Sequence, residues 1–260
     1  MLKQWLVNKL QGPVYLDCYT DLPYVYEHAK IRDAGKFRPK WIDKLPPVIE
    51  KPMEGNPNVT FPENTMRLCA GVTDLYKNAL CLPLWTDLTL YVGPQGTERY
   101  YWKTSDPKGD VVVHPQHQRG SFLPALEYQH TKLTSPWNLH CAEDVNFLMM
   151  DPFWNGDPYN ERPFAPPGIV NYKYQGGTHI NLFTARPSTG DKKIEFKYND
   201  PIALIVPLTE RKVIVRHHLV SFEEKIKYTR PPITFNGTYY AGRKAMMDAE
   251  KEAKCPMKSK

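Results

Sequence analysis

Residues 168–208 read GIVNYKYQGGTHINLFTARPSTGDKKIEFKYNDPIALIVPL and give the clearest fold signal in the chain. A glycine-led apolar start is followed by a β-rich middle and by a polar turn, Asn199-Asp200-Pro201, which leads into the apolar run 202–206. β-Branched and aromatic residues bounded by glycine and proline are typical of short strands joined by turns. The stretch therefore predicts a mainly β protein, either an antiparallel β-sandwich or a clip-like barrel.

The composition of the whole chain agrees with that prediction. Hydrophobic residues make up 41% and charged residues 24% of 260 residues, which is ordinary for a soluble globular protein with a substantial core. The 25 prolines are about twice the usual share, and an interior proline breaks a long helix. The first residues lack the apolar core of a secretory signal, and no apolar run approaches the length of a membrane-spanning helix. We therefore expect no membrane segment.

The charges and the cysteines disfavour two further classes of protein. The formal net charge of +6 is modest, and acidic residues are mixed with basic ones throughout, unlike a nucleic-acid surface, where basic residues alternate with exposed aromatics. The five cysteines form an odd set without a CxxC pair, which argues against a disulfide scaffold or a zinc knuckle. We expect reduced cytosolic thiols and no nucleic-acid partner.

Turn and capping signals divide the rest of the chain into short elements. We predict a helix within residues 22–35, which Asp21 would cap and Gly35 would stop, and a second short helix at 73–79. Strands are predicted over the following residues: 14–19, 86–92, 99–103, 111–114, 135–150 and 212–222. The turn 93–96 would close a hairpin between the second and third of these strands.

The chain is expected to fall into three segments. Residues 1–62 would form an N-terminal strand, a short helix and a proline-rich wrapping segment, in which residues 37–62 are an irregular surface loop anchored by Trp41 and Ile49. Residues 63–235 would form the β-rich core domain. Residues 236–260 contain strong helix formers, and no proline occurs among them before Pro256. This composition predicts a peripheral C-terminal helix followed by a basic tail.

Histidines are the first candidates for catalytic chemistry. A facial-triad iron site would require a histidine two residues before Asp or Glu together with a distant second histidine, and none of the eight histidines has an acid at that spacing. The weak metal-ligand candidates that remain are His114, His117, His140 and His179. Neither a GxSxG elbow nor a phosphate-binding loop occurs. We therefore predict neither a resident metal nor a cofactor.

Five segments resemble, in their order and spacing, a family of uncharacterised proteins of tailed bacteriophages, including cyanophages, and of some bacteria. The segments are residues 35–46 (GKFRPKWIDKLP), 66–92, 135–138 (SPWN), 168–171 and 194–211. The resemblance implies a phage gene product that acts in the host cytoplasm or in the virion. It implies no particular activity.

A second, more local resemblance concerns residues 168–174 (GIVNYKY) and 200–205 (DPIALI). These residues resemble the trimeric dUTPases, whose third motif reads G-V-I-D-x-x-Y and whose closing strand carries a G-D-x-I-A-Q-L-I type run. The resemblance implies that Tyr174 matches the tyrosine that stacks near the sugar and base, and that Asn171 replaces the aspartate that orients the attacking water. Asn171, Tyr174 and Asp200 are thus the catalytic candidates if the protein is an enzyme.

The departures from the dUTPase pattern concern the chemistry. Asparagine cannot act as an anionic general base, because its amide does not take up a proton near neutral pH. The sequence contains no Arg-Ser-Gly motif, and no serine lies between Ser135 and Ser188, where that motif would fall. The resemblance therefore implies a dUTPase-like fold without its hydrolase activity.

The sequence supports one leading function and leaves two alternatives open. The leading hypothesis is a non-enzymatic phage protein, either a virion structural component or an accessory component that interacts with other phage or host proteins, with homo-oligomers also allowed. The first alternative is a small-molecule enzyme, either a divergent dUTPase-like nucleotide hydrolase or a metal-dependent oxygenase. The second is a host-directed inhibitor that imitates a nucleotide-binding fold.

Overall fold

The computed structural model describes residues 11–105, 110–156, 162–228 and 244–250. Its α-helices are α1 Pro23–His28, α2 Lys40–Lys44, α3 Ala70–Asn78 and α4 Phe222–Tyr228, and residues 244–250 are also helical. The strands are β1 Val14–Thr20, β2 Arg32–Asp33, β3 Val48–Met53, β4 Asn56–Asn64, β5 Leu80–Pro83, β6 Leu88–Val92, β7 Tyr100–Thr104, β8 Asp110–Val113, β9 Tyr128–His140, β10 Asn146–Met150, β11 Gly168–Asn171, β12 Gly177–Ala185, β13 Lys192–Phe196, β14 Pro201–Pro207 and β15 Val213–Leu219.

The strands form three sheets and one separate hairpin. Sheet 1 has the order β12-β9-β1-β15, with β8 also paired to β9; sheet 2 has the order β11-β10-β14-β5-β2; and sheet 3 has the order β13-β6-β7. Strands β3 and β4 pair only with each other among the described strands. All of these pairs are antiparallel except β1 with β15. The predicted mainly β fold with short helices is confirmed, and its sheets close into no barrel within the described residues.

One apolar cluster joins the inner faces of the three sheets, as in a β-sandwich. The β period of two places Leu133 and Leu139 of β9 on the inner face, where both are buried. Trp137 is fully buried beside them, and its indole N–H donates to the carbonyl of Ala29 at 2.8 Å. Strand β1 lies between β9 and β15, and its residues Val14, Leu16 and Cys18 belong to this cluster. Residues 14–20 therefore share one core with the later strands.

A second, smaller cluster covers the other side of sheet 2. Helix α3 contributes Val72 and Tyr76, helix α2 contributes Ile42, and β14 contributes Leu204. The predicted helix at 73–79 is thus confirmed as part of α3, which begins three residues earlier. The hydroxyl of Tyr76 in α3 donates to the side-chain oxygen of Asn155 at 2.6 Å, so this helix also contacts the loop after β10.

The short helix predicted within 22–35 is confirmed as α1, but its predicted limits and the prediction for residues 37–62 were wrong. Helix α1 ends at His28 and not at Gly35, because the chain then pairs β2 with β5, and Asp21 forms an ion pair with Lys225 at 2.7 Å instead of capping the helix. Residues 37–62 form α2 and most of a β-hairpin, not an irregular loop. Trp41 and Ile49 are 42% and 45% exposed, and the buried anchor of the segment is their neighbour Ile42.

The other predicted strands are confirmed with adjusted limits. The hairpin at 93–96 joins β6 to β7, and a Cβ at Gly93 would lie 2.6 Å from the Cβ of Arg99, so the turn requires a glycine there. The strand predicted over 135–150 is two strands, β9 and β10, separated by a bend. Asn199 takes a left-handed conformation (φ 68°) in the turn before β14, as asparagine tolerates. Of the predicted C-terminal helix, residues 244–250 are helical, and the remainder lies outside the described residues.

None of the described helices is both long enough and apolar enough to cross a membrane.

Candidate functional site

Asn171, the first of the three catalytic candidates named from the sequence, ends β11 and is buried. Its amide nitrogen donates to a carboxylate oxygen of Asp144 at 2.6 Å and to the side-chain oxygen of Asn146 at 3.0 Å. Its amide oxygen accepts a hydrogen bond from the backbone N–H of Lys173 at 3.1 Å. Both donor hydrogens and the acceptor of this side chain are therefore used to hold the turn after β11.

The other two catalytic candidates lie in different places. Tyr174 belongs to the same turn as Asn171, is buried, and donates its hydroxyl to Glu250 at 3.4 Å. Asp200 lies in the turn that begins β14, where its carboxylate accepts the backbone N–H of Lys197 at 2.7 Å. Asn171 pairs with Asn146 of β10. The backbone carbonyl of Asn146 accepts the N–H of Leu208, which directly follows β14, so Asn171 lies beside the opposite end of β14 from Asp200. A strand of this length separates the two positions by about 20 Å, so Asp200 does not share a site with Asn171.

Replacing Asn171 by aspartate tests whether this position is a lapsed catalytic site. In Asn171→Asp a carboxylate would face Asp144 and lose both donor hydrogens, and we expect a loss of about 2–4 kcal/mol in the free energy of unfolding at pH 7. Asn171→Ala, which removes the same donors without adding charge, should cost less. Urea unfolding measures both variants. A dUTP hydrolase activity that emerges in a normally stable Asn171→Asp protein would contradict this expectation.

The four metal-ligand candidates do not converge. His117 lies in a short 3-10 turn after β8, and His140 lies at the end of β9. His114 and His179 lie on the outer face of sheet 1, near the other end of β9. Within the described residues no group of three or more His, Cys, Asp or Glu side chains could hold a metal ion.

The outer face of sheet 1 instead carries a stack of rings near β8 and β12. The His130 ring lies between those of His114 and Phe183, with centroid distances of 4.8 and 4.3 Å. Phe164 stacks on Phe183 at 5.7 Å. Burial, opposed by the hydrogen bond to Asn181 and aided by nearby cations, lowers the pKa of His130 to about 4, so its ring is neutral at pH 7.

A charged network joins β1 to β15 at the far end of the same face. Arg216 donates two hydrogen bonds to the Asp17 carboxylate, at 2.7 and 2.6 Å, and His218 contacts the same carboxylate at 2.8 Å. Burial alone would raise the pKa of Asp17, but the hydrogen bonds from Arg216 and His218 bring it below its usual value. The Tyr19 ring stacks on Tyr228 of α4 at 3.9 Å. The carboxylate is fully occupied, which indicates a structural role.

The β3–β4 hairpin, residues 48–64, is hereafter called the arm. Every residue of both strands is exposed, including five large apolar side chains. These are Val48, Ile49, Met53, Val59 and Phe61. At the base of the arm, Thr65 donates its hydroxyl to the carbonyl of Pro46 at 2.6 Å, and its backbone N–H donates to Pro47. The arm is thus attached through its base while its two faces stay open to solvent.

Proline content obscured the arm in the sequence. Prolines at 52, 57 and 62 suggested an irregular loop. The hairpin tolerates them because each of its strands is an edge strand, with one side that is not hydrogen-bonded to another strand. The signal that favoured a hairpin was the Glu54-Gly55 turn, followed by the alternation of polar and apolar residues over 58–61 (NVTF). Gly55 has a φ of +82°, as a tight turn requires.

Comparison with protein-family models, with curated proteins and with the solved structures finds no match for this chain.

Proposed function

We propose that this chain is a non-enzymatic interaction protein of a phage, either a virion component or an accessory protein of the infected cell, and that it contacts its protein partners through the arm. The observation that carries the proposal is the exposure of every strand residue of the arm. A two-stranded hairpin alone is marginally stable in water, and contiguous exposed apolar side chains mark interaction sites. A partner that covers the arm would stabilise it.

The strand register separates the two faces of the arm. Ile49 lies opposite Glu63 and Lys51 lies opposite Phe61, so these four side chains share one face. Lys51 and Glu63 form an ion pair at 3.4 Å across this face, which leaves Ile49 and Phe61 on the other diagonal. This face combines an apolar pair with an ion pair whose charges neutralise each other. Such a composition suits contact with a protein surface better than contact with a charged polymer.

The prolines indicate that the partner binds to a face of the arm and not to its edges. Pro52 in β3 and Pro62 in β4 have no N–H to donate, and each lies within a paired strand. A proline in a paired strand must turn its nitrogen away from the ladder, towards the free edge. Both edges therefore lack a donor for another strand, which disfavours β-strand addition.

The enzyme alternative, a dUTPase-like hydrolase or a metal-dependent oxygenase, has less support in the geometry. Asn171, Tyr174 and Asp200 lie at two separate places, and both donor hydrogens of the Asn171 amide are already used within the fold. Native mass spectrometry of the purified protein with added iron or nucleotides separates the two functions. A stoichiometric mass increment with turnover would favour the enzyme, whereas the interaction protein would bind neither.

A photo-crosslinking residue introduced at position 61 tests the role of the arm. In infected cells we expect discrete cross-linked products of defined mass from position 61, because Phe61 is 44% exposed on the apolar face. The matched control is position 101, where Tyr101 on β7 is 51% exposed. The variant Ile49→Ser should weaken the cross-link at least tenfold while shifting the free energy of unfolding by only about 0.5 kcal/mol, as for other exposed positions. Absence of a product from position 61, or the same products from both positions, would contradict the proposal.

A further inference from the structure

One face of the arm carries apolar and charged side chains at alternating corners of a four-residue set. The strand register places Ile49 beside Glu63 and Lys51 beside Phe61, and Ile49 and Lys51 are two residues apart in β3, so all four lie on the same side. The two apolar residues occupy one diagonal of the set, and the ion pair between Lys51 and Glu63 occupies the other. This set of four residues is hereafter called the arm face.

The arm face is complementary to itself. Two copies of a surface that meet through a two-fold axis are related by rotation about a line in the plane of contact. If that line runs through Ile49 and Phe61, each apolar side chain meets its counterpart, and Lys51 of each copy meets Glu63 of the other. A line along the strands or across them would set charges against apolar groups, and a line through the charged diagonal would set like charges together. One orientation therefore suits all four side chains.

The opposite face of the arm lacks this property. Strands β3 and β4 contain three charged residues, of which Glu50 alone lies on that opposite face. Two copies that met there would offer no opposite charge to either Glu50 carboxylate. Charge complementarity thus selects the arm face for contact between identical chains.

We infer that the arm face binds a second copy of this chain, with the two arms crossed about the line through Ile49 and Phe61. The inference rests on the proposed function, which makes the arm a contact surface for proteins, and it names the partner. The corners of the set are about 5 Å apart across the strand pair and about 7 Å apart along it, so the strands of the two arms would cross at roughly 70°. The ion pairs of the two arms then join into one network of alternating charges.

The size of the arm face predicts a weak dimer. A six-residue strand spans about 20 Å, so a contact between two arms buries only about 200–400 Å² on each copy, against about 800 Å² in a standard stable interface. Met53 and Val59, which are exposed nearer the turn of the arm, add apolar area. We therefore expect reversible association in the micromolar range or weaker, and not an obligate dimer.

Exchange of the two charges tests this arrangement, with sedimentation velocity of the purified full chain from micromolar to near-millimolar concentration as the measurement. Lys51→Glu and Glu63→Lys each set like charges together in the dimer, so each variant alone should dimerise at least tenfold more weakly than the wild type. An equimolar mixture should dimerise at least fivefold more tightly than either variant alone, because the exchanged charges then match between copies. Mixing cannot restore the ion pair within one arm, so the rescue reports the contact between copies and not the folding of the arm.

Lys103→Glu is the matched control, since it makes the same change of charge at an exposed lysine of β7 and should leave dimerisation unchanged. The inference is overturned if the wild type stays monomeric at every concentration, if the mixture dimerises no better than its components, or if Lys103→Glu weakens the dimer as much as Lys51→Glu.

The photo-cross-link from position 61 separates a failure of this inference from a failure of the proposed function. A product of twice the mass of the chain supports the second copy as partner. A product with a different protein, from a chain that forms no dimer, overturns the inference and leaves the proposed function in place. Absence of any product contradicts both.

Discussion

Acidification from pH 7 to pH 4.5 is expected to lower the melting temperature by about 6–12 °C, a shift that corresponds to about 3 kcal/mol of folding free energy for a chain of this size. The cause is a set of three histidines, His130, His179 and His217, whose pKa burial lowers to about 4 in each case. In the unfolded chain the same groups take up protons near pH 6.5. Between pH 6.5 and 4 the unfolded state therefore binds more protons than the folded state.

The sign of the effect follows from that difference. Stability contributed by these neutral histidines is complete above pH 6.5 and is lost as the pH falls towards 4. Each ring is partly exposed, so we assign about 1 kcal/mol to each after allowing for solvent screening. Asp17 does not contribute within this window, because its lowered pKa keeps the ion pair with Arg216 until the pH is more acidic still.

Differential scanning calorimetry between pH 7.5 and 4.5 measures this dependence. His217 packs edge-on against Trp137, with ring centroids 5.2 Å apart. In His217→Gln the titrating ring is removed, and the slope of melting temperature against pH should fall by about a third. The control His117→Gln changes a histidine of the short turn after β8 and should leave the slope unchanged. A melting temperature that stays constant from pH 7 to 4.5 would show that the histidines are not held neutral.

Arg186→Met is expected to reduce the free energy of unfolding by about 3–5 kcal/mol. The Arg186 side chain is only 4% exposed, and its guanidinium donates to four neutral oxygens. These oxygens are the carbonyls of Ala125 (2.8 Å), Gly93 (3.3 Å) and Arg99 (3.0 Å) and the side-chain oxygen of Gln129 (2.8 Å). One residue thereby joins the end of β12 to the β6–β7 turn and to the loop before β9. Methionine would remove all four of these hydrogen bonds, and the Arg99 carbonyl would keep only the backbone N–H of Gly93.

Two matched variants separate hydrogen bonding from charge in this prediction. Arg186→Lys keeps the charge but cannot reach four acceptors with one ammonium group, so its loss should be intermediate. Arg99→Met removes an exposed arginine that pairs with Asp191 at 2.9 Å, and it should cost less than about 1 kcal/mol. Urea unfolding monitored by tryptophan fluorescence gives all three values. If Arg186→Met were no more destabilising than Arg99→Met, the buried donor set would not hold the loops together.

Local signals in the sequence located most strands but not the surfaces that carry the proposals. Alternating apolar residues and the turn at 93–96 predicted β6 and β7 because hairpin signals depend on neighbouring residues. The arm was missed, since proline is a weak guide to structure where both strands of a pair are edges. The motif at 168–174 pointed to Asn171 as a catalytic position, whereas the contacts with Asp144 and Asn146 could be known only from the fold.

The sequence by itself determined the mainly β class, the short helices and the turns, because these depend on the period of apolar residues and on where glycine and proline stand. Only the tertiary structure decided which strands pair. It places β1 parallel to β15, so that Asp17 meets Arg216 across 199 positions of the chain. It likewise places Lys132 opposite Asn181 on neighbouring strands. The physical reason is that strand partners and burial arise from contacts between distant segments, which local patterns do not encode.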